Sequence, residues 1–157
     1  MRSRLARSTA VAAASAAGLA ALPGVAAGDA VYHTQHMQLT AVGDASLRSG
    51  FVQNIKANGP TIYAHEVYVL KGAEPGADYT VTNNFFVEDP TCSDPANNFP
   101  TDTAELRTNS AGNAKSQVFF VPDDVAGFQG IHGVMWTIQD SNGDVVYKTG
   151  CSRVTLD

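Results

Sequence analysis

Basic residues are scarce in this chain, tryptophan and cysteine scarcer, and catalytic signatures are missing. Ten lysines and arginines face fifteen aspartates and glutamates. Three of the ten, Arg2, Arg4 and Arg7, lie in the first 27 residues, which hold no acid, so the remaining 130 residues carry a net charge of −8. Nucleic acid and anionic membrane both bind through a basic face, so this balance argues against either as a partner. There is no G-x-S-x-G elbow, no H-E-x-x-H pair and no phosphate-cradling glycine loop. The scattered acids single out no carboxylate pair for glycoside hydrolysis. No catalytic residue is indicated, and a non-enzymatic domain is the favoured reading.

Metal-ligating side chains are thinly spread. On a strand, His33 and His36 point to opposite faces and cannot chelate one ion without a bulge. His65 could join one of them only from a neighbouring strand, and His132 stands apart in sequence. A blue-copper site needs two histidines, a cysteine and usually a methionine, and no histidine follows Cys151. Asp140, Asn142 and Asp144 have the spacing that opens an EF-hand loop, but Val145 stands where the loop needs glycine and Cys151 where it needs glutamate. A hairpin turn accounts for the same residues. The acids Glu88, Asp89 and Asp94, and the pair Asp123 and Asp124, read as solvated loops. No metal and no cofactor is expected.

What the chain does have begins at its start. After the three arginines, residues 8–22 are Ala-rich and uncharged, Pro23 and Gly24 break the run, and Val25, Ala26 and Ala27 place small residues where a signal peptidase cuts. The run falls short of the ~20 residues a spanning helix needs. Residues 1–27 are therefore expected to be a cleaved signal peptide, with the mature chain starting at Gly28 and Ala30 as the other possible cut. No cysteine near the cut marks a lipoprotein, and residues 153–157 carry no hydrophobic tail. The expectation is a freely secreted, extracellular protein with no membrane attachment after cleavage. Its two cysteines, Cys92 and Cys151, are expected to pair, as cysteines do in an oxidising compartment.

Residues 28–157 make one domain. Helical periodicity is absent, and turn signals recur about every 8 to 15 residues, the spacing of a sandwich or barrel. Strands are expected over 31–42, 46–56, 61–70, 78–87, 104–108, 114–121, 131–139 and 145–151, with 154–156 extending the last. Irregular loops are expected over 88–101 and 122–130. The 104–108 strand should pair with 114–121 across the Gly-containing turn 109–113, and Asn142-Gly143 should close a second hairpin. Val134, Trp136 and Ile138 alternate, which puts Trp136 in the core. The fold class is thus all-β: an antiparallel, Ig-like β-sandwich of seven to nine strands with one disulfide.

Two aromatic doublets, Phe85-Phe86 and Phe119-Phe120, stand out. Strand neighbours face opposite ways, so one member of each should face the core. Phe85 with Val87, and Val118 with Phe120, read as core pairs, leaving Phe86 and Phe119 outward as a candidate binding patch.

The phrases VLKGAEPGADYTV, LRTNSAGNAKSQVFF and VVYKTGCSRVTLD, within residues 69–157, resemble the small secreted Ig-like β-sandwich proteins of actinobacteria. That resemblance implies a bacterial, exported sandwich. A fainter likeness, carried by the Pro75-Gly76-Ala77-Asp78-Tyr79 phrase, is to the enediyne-carrying apoproteins of the neocarzinostatin family. Those proteins have four cysteines in two short loops and this chain has two far apart, so no residue role is carried over. The expected function is a secreted non-enzymatic domain that binds a protein, a glycan or a small apolar ligand. The alternatives are a small extracellular hydrolase with loop-borne catalytic residues, or a structural component of the cell surface.

Overall fold

The computed structural model describes residues 33–156; the expected signal segment and its expected cleavage site lie outside that range. Ten strands form two antiparallel sheets. The first sheet has the order β1 (His33–Gln38), β3 (Ser49–Lys56), β4 (Ala64–Lys71), β7 (Ala114–Phe120). The second has the order β2 (Thr40–Ala41), β9 (Val145–Lys148), β8 (Gly130–Asp140), β5 (Asp78–Phe86), β6 (Asn98–Arg107). β10 (Ser152–Leu156) continues along β8 beyond β9. The expected first strand is split at Leu39. Its N–H still bonds Gly50 in the first sheet, but Thr40 and Ala41 pair with Lys148 and Tyr147 in the second. The fold is therefore a two-layer, sandwich-like all-β domain.

Alternation produces the core. Leu70 and Tyr68 from β4, Val52 from β3, Val81 and Tyr79 from β5, and Ile138 and Trp136 from β8 all face inward and are buried. Trp136 is fully buried, where the alternation of its strand places it. The Asn142-Gly143 hairpin forms as read from the sequence, with Gly143 at φ +86° and the Asp140 N–H bonded to the Asp144 carbonyl.

Two expectations need correction. The 109–113 turn closes locally, but its flanking strands do not pair with each other. β6 pairs with β5 in one sheet, and β7 pairs with β4 in the other. The turn is docked on the β4–β5 connection, where the Ala73 N–H donates to the Gly112 carbonyl. A side chain at Gly112 would meet the Ala73 carbonyl oxygen at 2.1 Å, so glycine is required there. Second, β6 begins at Asn98, inside the stretch expected to be irregular. Pro100 is tolerated because β6 is an edge strand, where a missing N–H breaks no ladder.

Cys92 and Cys151 form a disulfide with Cα atoms 5.8 Å apart. It pins the 87–97 loop against β8 at Gly133, where an added Cβ would lie 2.4 Å from the Asp89 carbonyl oxygen and 2.7 Å from Cys92 Sγ. Asp89 organises that loop. Its carboxylate accepts from Thr91 Oγ1 (2.6 Å) and from the N–H groups of Asp94 (2.8 Å), Thr91 (3.1 Å) and Ser93 (2.7 Å). These bonds, that from the Thr91 hydroxyl foremost, hold the carboxyl well below the usual range.

Candidate functional site

Inward residues change character at one level of the sandwich. On β3 the sequence of inward positions runs Val52, Asn54, Lys56; on β4 it runs Leu70, Tyr68, Glu66, Ala64; on β5 it runs Tyr79, Val81, Asn83, Phe85. Asn54 is the cross-strand neighbour of Glu66, and Asn83 that of Trp136. Large apolar side chains thus give way, on the paired strands β3 and β4 of one sheet and on β5 of the other, to amides, a carboxyl and an alanine. The two sheets cannot close over such a layer, and beyond it they enclose a cleft of about 760 Å³.

Glu66 lies at the centre of this layer and is 1 % exposed. Its Oε2 accepts from the Tyr68 hydroxyl (2.5 Å) and from Trp136 Nε1 (2.7 Å). Its Oε1 accepts from Asn54 Nδ2 (3.1 Å) and Asn83 Nδ2 (3.2 Å). The four donors come from four strands in both sheets, so the carboxyl ties the layers together. Burial raises its pKa to about 7, against the opposing pull of the four bonds, Tyr68 first. Burial and the neighbouring Glu66 push the Tyr68 phenol upward as well. Tyr68 also meets Thr103 Oγ1 at 2.8 Å. Thr103 is the extra residue of a β-bulge, since Val81 pairs with Ala104 while Thr82 pairs with Asp102. The bulge re-aims this hydroxyl into the polar layer.

The walls above the floor are aromatic. Phe85, Phe120 and Phe128 are half-buried and Phe99 is exposed, all lining the cleft. Phe128 comes from the segment between β7 and β8, which starts with the one-turn helix α1 (Pro122–Val125). The Phe128 ring meets Phe85 edge-on at 5.3 Å. His132, 1 % exposed, secures this end: the Glu88 N–H donates to its Nδ1 (3.0 Å), so its Nε2 carries the proton and donates to the Phe128 carbonyl (3.0 Å).

The two aromatic doublets separate as strand geometry requires, but the expected outward patch is not there. Phe119 is 49 % exposed, on the outer face of β7, with its ring against His65 at 5.4 Å. Phe86 is only 5 % exposed. It does point away from Phe85, but opposite Gly133, where the disulfide-pinned loop covers that side of the sheet. The two also belong to different sheets. The inward members, Phe85 and Phe120, are the ones brought together, across the cleft.

The remaining candidates are dispersed. His36 stacks on Phe51 at 4.4 Å, His65 lies against Phe119, and His132 is buried. Among the described residues, no three histidine, cysteine, aspartate or glutamate side chains gather as a metal site would require. Asp140 caps its own hairpin by accepting from the N–H groups of Asn142 (2.9 Å) and Asp144 (3.1 Å), which lowers its pKa, the Asn142 bond contributing most.

Sequence reading missed Glu66, Asn54 and Asn83. The available signal was the phase of Ala64, Glu66, Tyr68 and Leu70, which places an acid on the same face as two large core residues. Comparison with protein-family models, with curated proteins and with solved structures found no match.

Proposed function

We propose that this chain is a secreted, non-enzymatic β-sandwich domain that binds a small apolar molecule between its sheets. The cleft carries the reading. Its volume of about 760 Å³ falls within the ~300–1,000 Å³ of ligand sites, and it has the apolar walls and few convergent polar groups of such sites. A hydrolase would need a nucleophile or a second carboxyl beside Glu66, whose partners are instead two amides, a phenol and an indole. That favours binding over catalysis. Export is supported by the signal-like first 27 residues together with the disulfide. The Ig-like reading is supported by the two-layer antiparallel architecture and by the switch of sheets at Leu39.

The test is a fluorescence titration with Nile red, a neutral apolar dye. The wild-type protein should bind it with saturation. Ala64→Phe, which fills the cleft from β4, should abolish binding while the variant still melts cooperatively. Undiminished binding to a folded Ala64→Phe would place the dye elsewhere and overturn the reading, as would absence of binding to the wild type.

A further inference from the structure

The cleft has aromatic walls and the Glu66 carboxyl in its floor; Asp102 and Asp124 also line it, accepting from the Thr82 hydroxyl and the Val121 N–H respectively. None of the hydrogen bonds Glu66 makes comes from a cation; its four donors are all neutral. The lysine at the margin has other partners: Lys56 Nζ donates to the Thr155 carbonyl (2.6 Å) and lies 5.3 Å from the Tyr63 ring centroid. The two carboxyl oxygens are held unequally. Oε2 is gripped at 2.5 and 2.7 Å, whereas Oε1 has only the two longer amide bonds at 3.1 and 3.2 Å. Beside Oε1 there is an acceptor with nothing to accept: Asn83 Oδ1 is buried and has no hydrogen-bond partner. An orphaned buried acceptor is costly and rare in a folded protein.

A carboxyl oxygen loosely held and an adjacent empty acceptor together ask for a group with several donors and no lone pairs. An alkylammonium is such a group, with three N–H donors and a positive charge. An alcohol supplies one donor, and a carboxylate supplies none and is repelled by Glu66. The aromatic rings of Phe85, Phe120 and Phe128 suit the apolar body of the same molecule, and ring faces attract cations.

We propose that the cleft is selective for amphiphilic amines, with the ammonium group seated between Glu66 Oε1 and Asn83 Oδ1 and the apolar body between the phenylalanines. This rests on the reading of the cleft as a ligand site. The experiment compares three probes of one shape, 4-biphenylmethylamine, 4-biphenylmethanol and 4-biphenylcarboxylate. Binding is followed at pH 8 by the emission of Trp136, the single tryptophan of the chain, whose indole N–H bonds Glu66. The amine should bind at least about tenfold more tightly than the alcohol, as charge-assisted hydrogen bonds are stronger than neutral ones, and the carboxylate least of all. In Glu66→Gln the amine-to-alcohol ratio should fall to near one.

Equal affinity of the wild type for amine and alcohol overturns the proposal, as does an amine preference that survives in Glu66→Gln. The wild-type series stands by itself should Glu66→Gln fail to fold. If the alcohol and Nile red bind but the amine is not preferred, the amine inference fails alone. If no probe binds, the cleft reading fails with it.

Discussion

A carboxyl at 1 % exposure with only neutral donors around it loses more hydration on ionising than its hydrogen bonds return, and the pKa of about 7 at Glu66 follows from that. The proton has a place to go. A protonated Glu66 can donate to the Tyr68 oxygen, whose own proton then turns to Thr103 Oγ1, which donates to the Val81 carbonyl. Because the folded-state value lies above the ordinary 4.5, its contribution to stability is fully present below pH 4.5 and is lost as the pH rises through 7. At about 1.4 kcal/mol per unit, the wild type should lose about 3 kcal/mol from this group between pH 5 and 8. Glu66→Gln should remove that slope. Urea unfolding of both proteins at pH 5, 6.5 and 8 measures it, and parallel profiles would refute the assignment. Asp89 and Asp140 work in the opposite sense: their lowered values stabilise the fold above pH 3.8, an effect lost on further acidification. They therefore act below the window in which Glu66 titrates.

At the level of strands, alternation assigned the faces of β5 and β7 correctly, but it could not tell which faces are covered. Phe86 and Phe119 both point away from the inter-sheet space, yet one is buried and the other half exposed. The difference comes from the 87–97 loop, which the disulfide holds over Phe86 and Gly133. Phe86→Ser should therefore destabilise the domain by about 3–5 kcal/mol, as loss of a buried aromatic does. Phe119→Ser should cost less than about 1 kcal/mol. Chemical denaturation of the two single variants separates them, and equal losses would contradict the burial difference. The bulge at Thr103 was equally illegible, because an extra residue on one strand is defined only against its partner.

For the whole molecule, the disulfide joins residues 59 positions apart and anchors the 87–97 loop to the residue that precedes β10. Replacing both cysteines by alanine should cost about 2–5 kcal/mol. Alkylation of the native protein without reductant should label neither cysteine, and labelling of both would refute the bridge. The proposed export makes its own prediction. Intact-mass analysis of culture supernatant should find a chain beginning at Gly28, or at Ala30 if the second site is cut, and Met1 on the exported protein would contradict the signal peptide.

Local pattern was enough for most of the elements, though not for the start of β6 or the split of the first strand at Leu39. Runs of alternating residues, the Asn142-Gly143 turn and the even cysteine count specify strands, a hairpin and a bridge because each depends on neighbours in the chain or on a single pairing. The cleft is of another kind. Asn54, Glu66, Asn83 and Trp136 each read as an ordinary inward strand residue, and Glu66 bonds partners 12 and 70 positions away. Only the register of four strands brings them to one height. There, a polar layer replaces apolar bulk on both sheets, and the inter-sheet space stays open because the side chains that would fill it are absent.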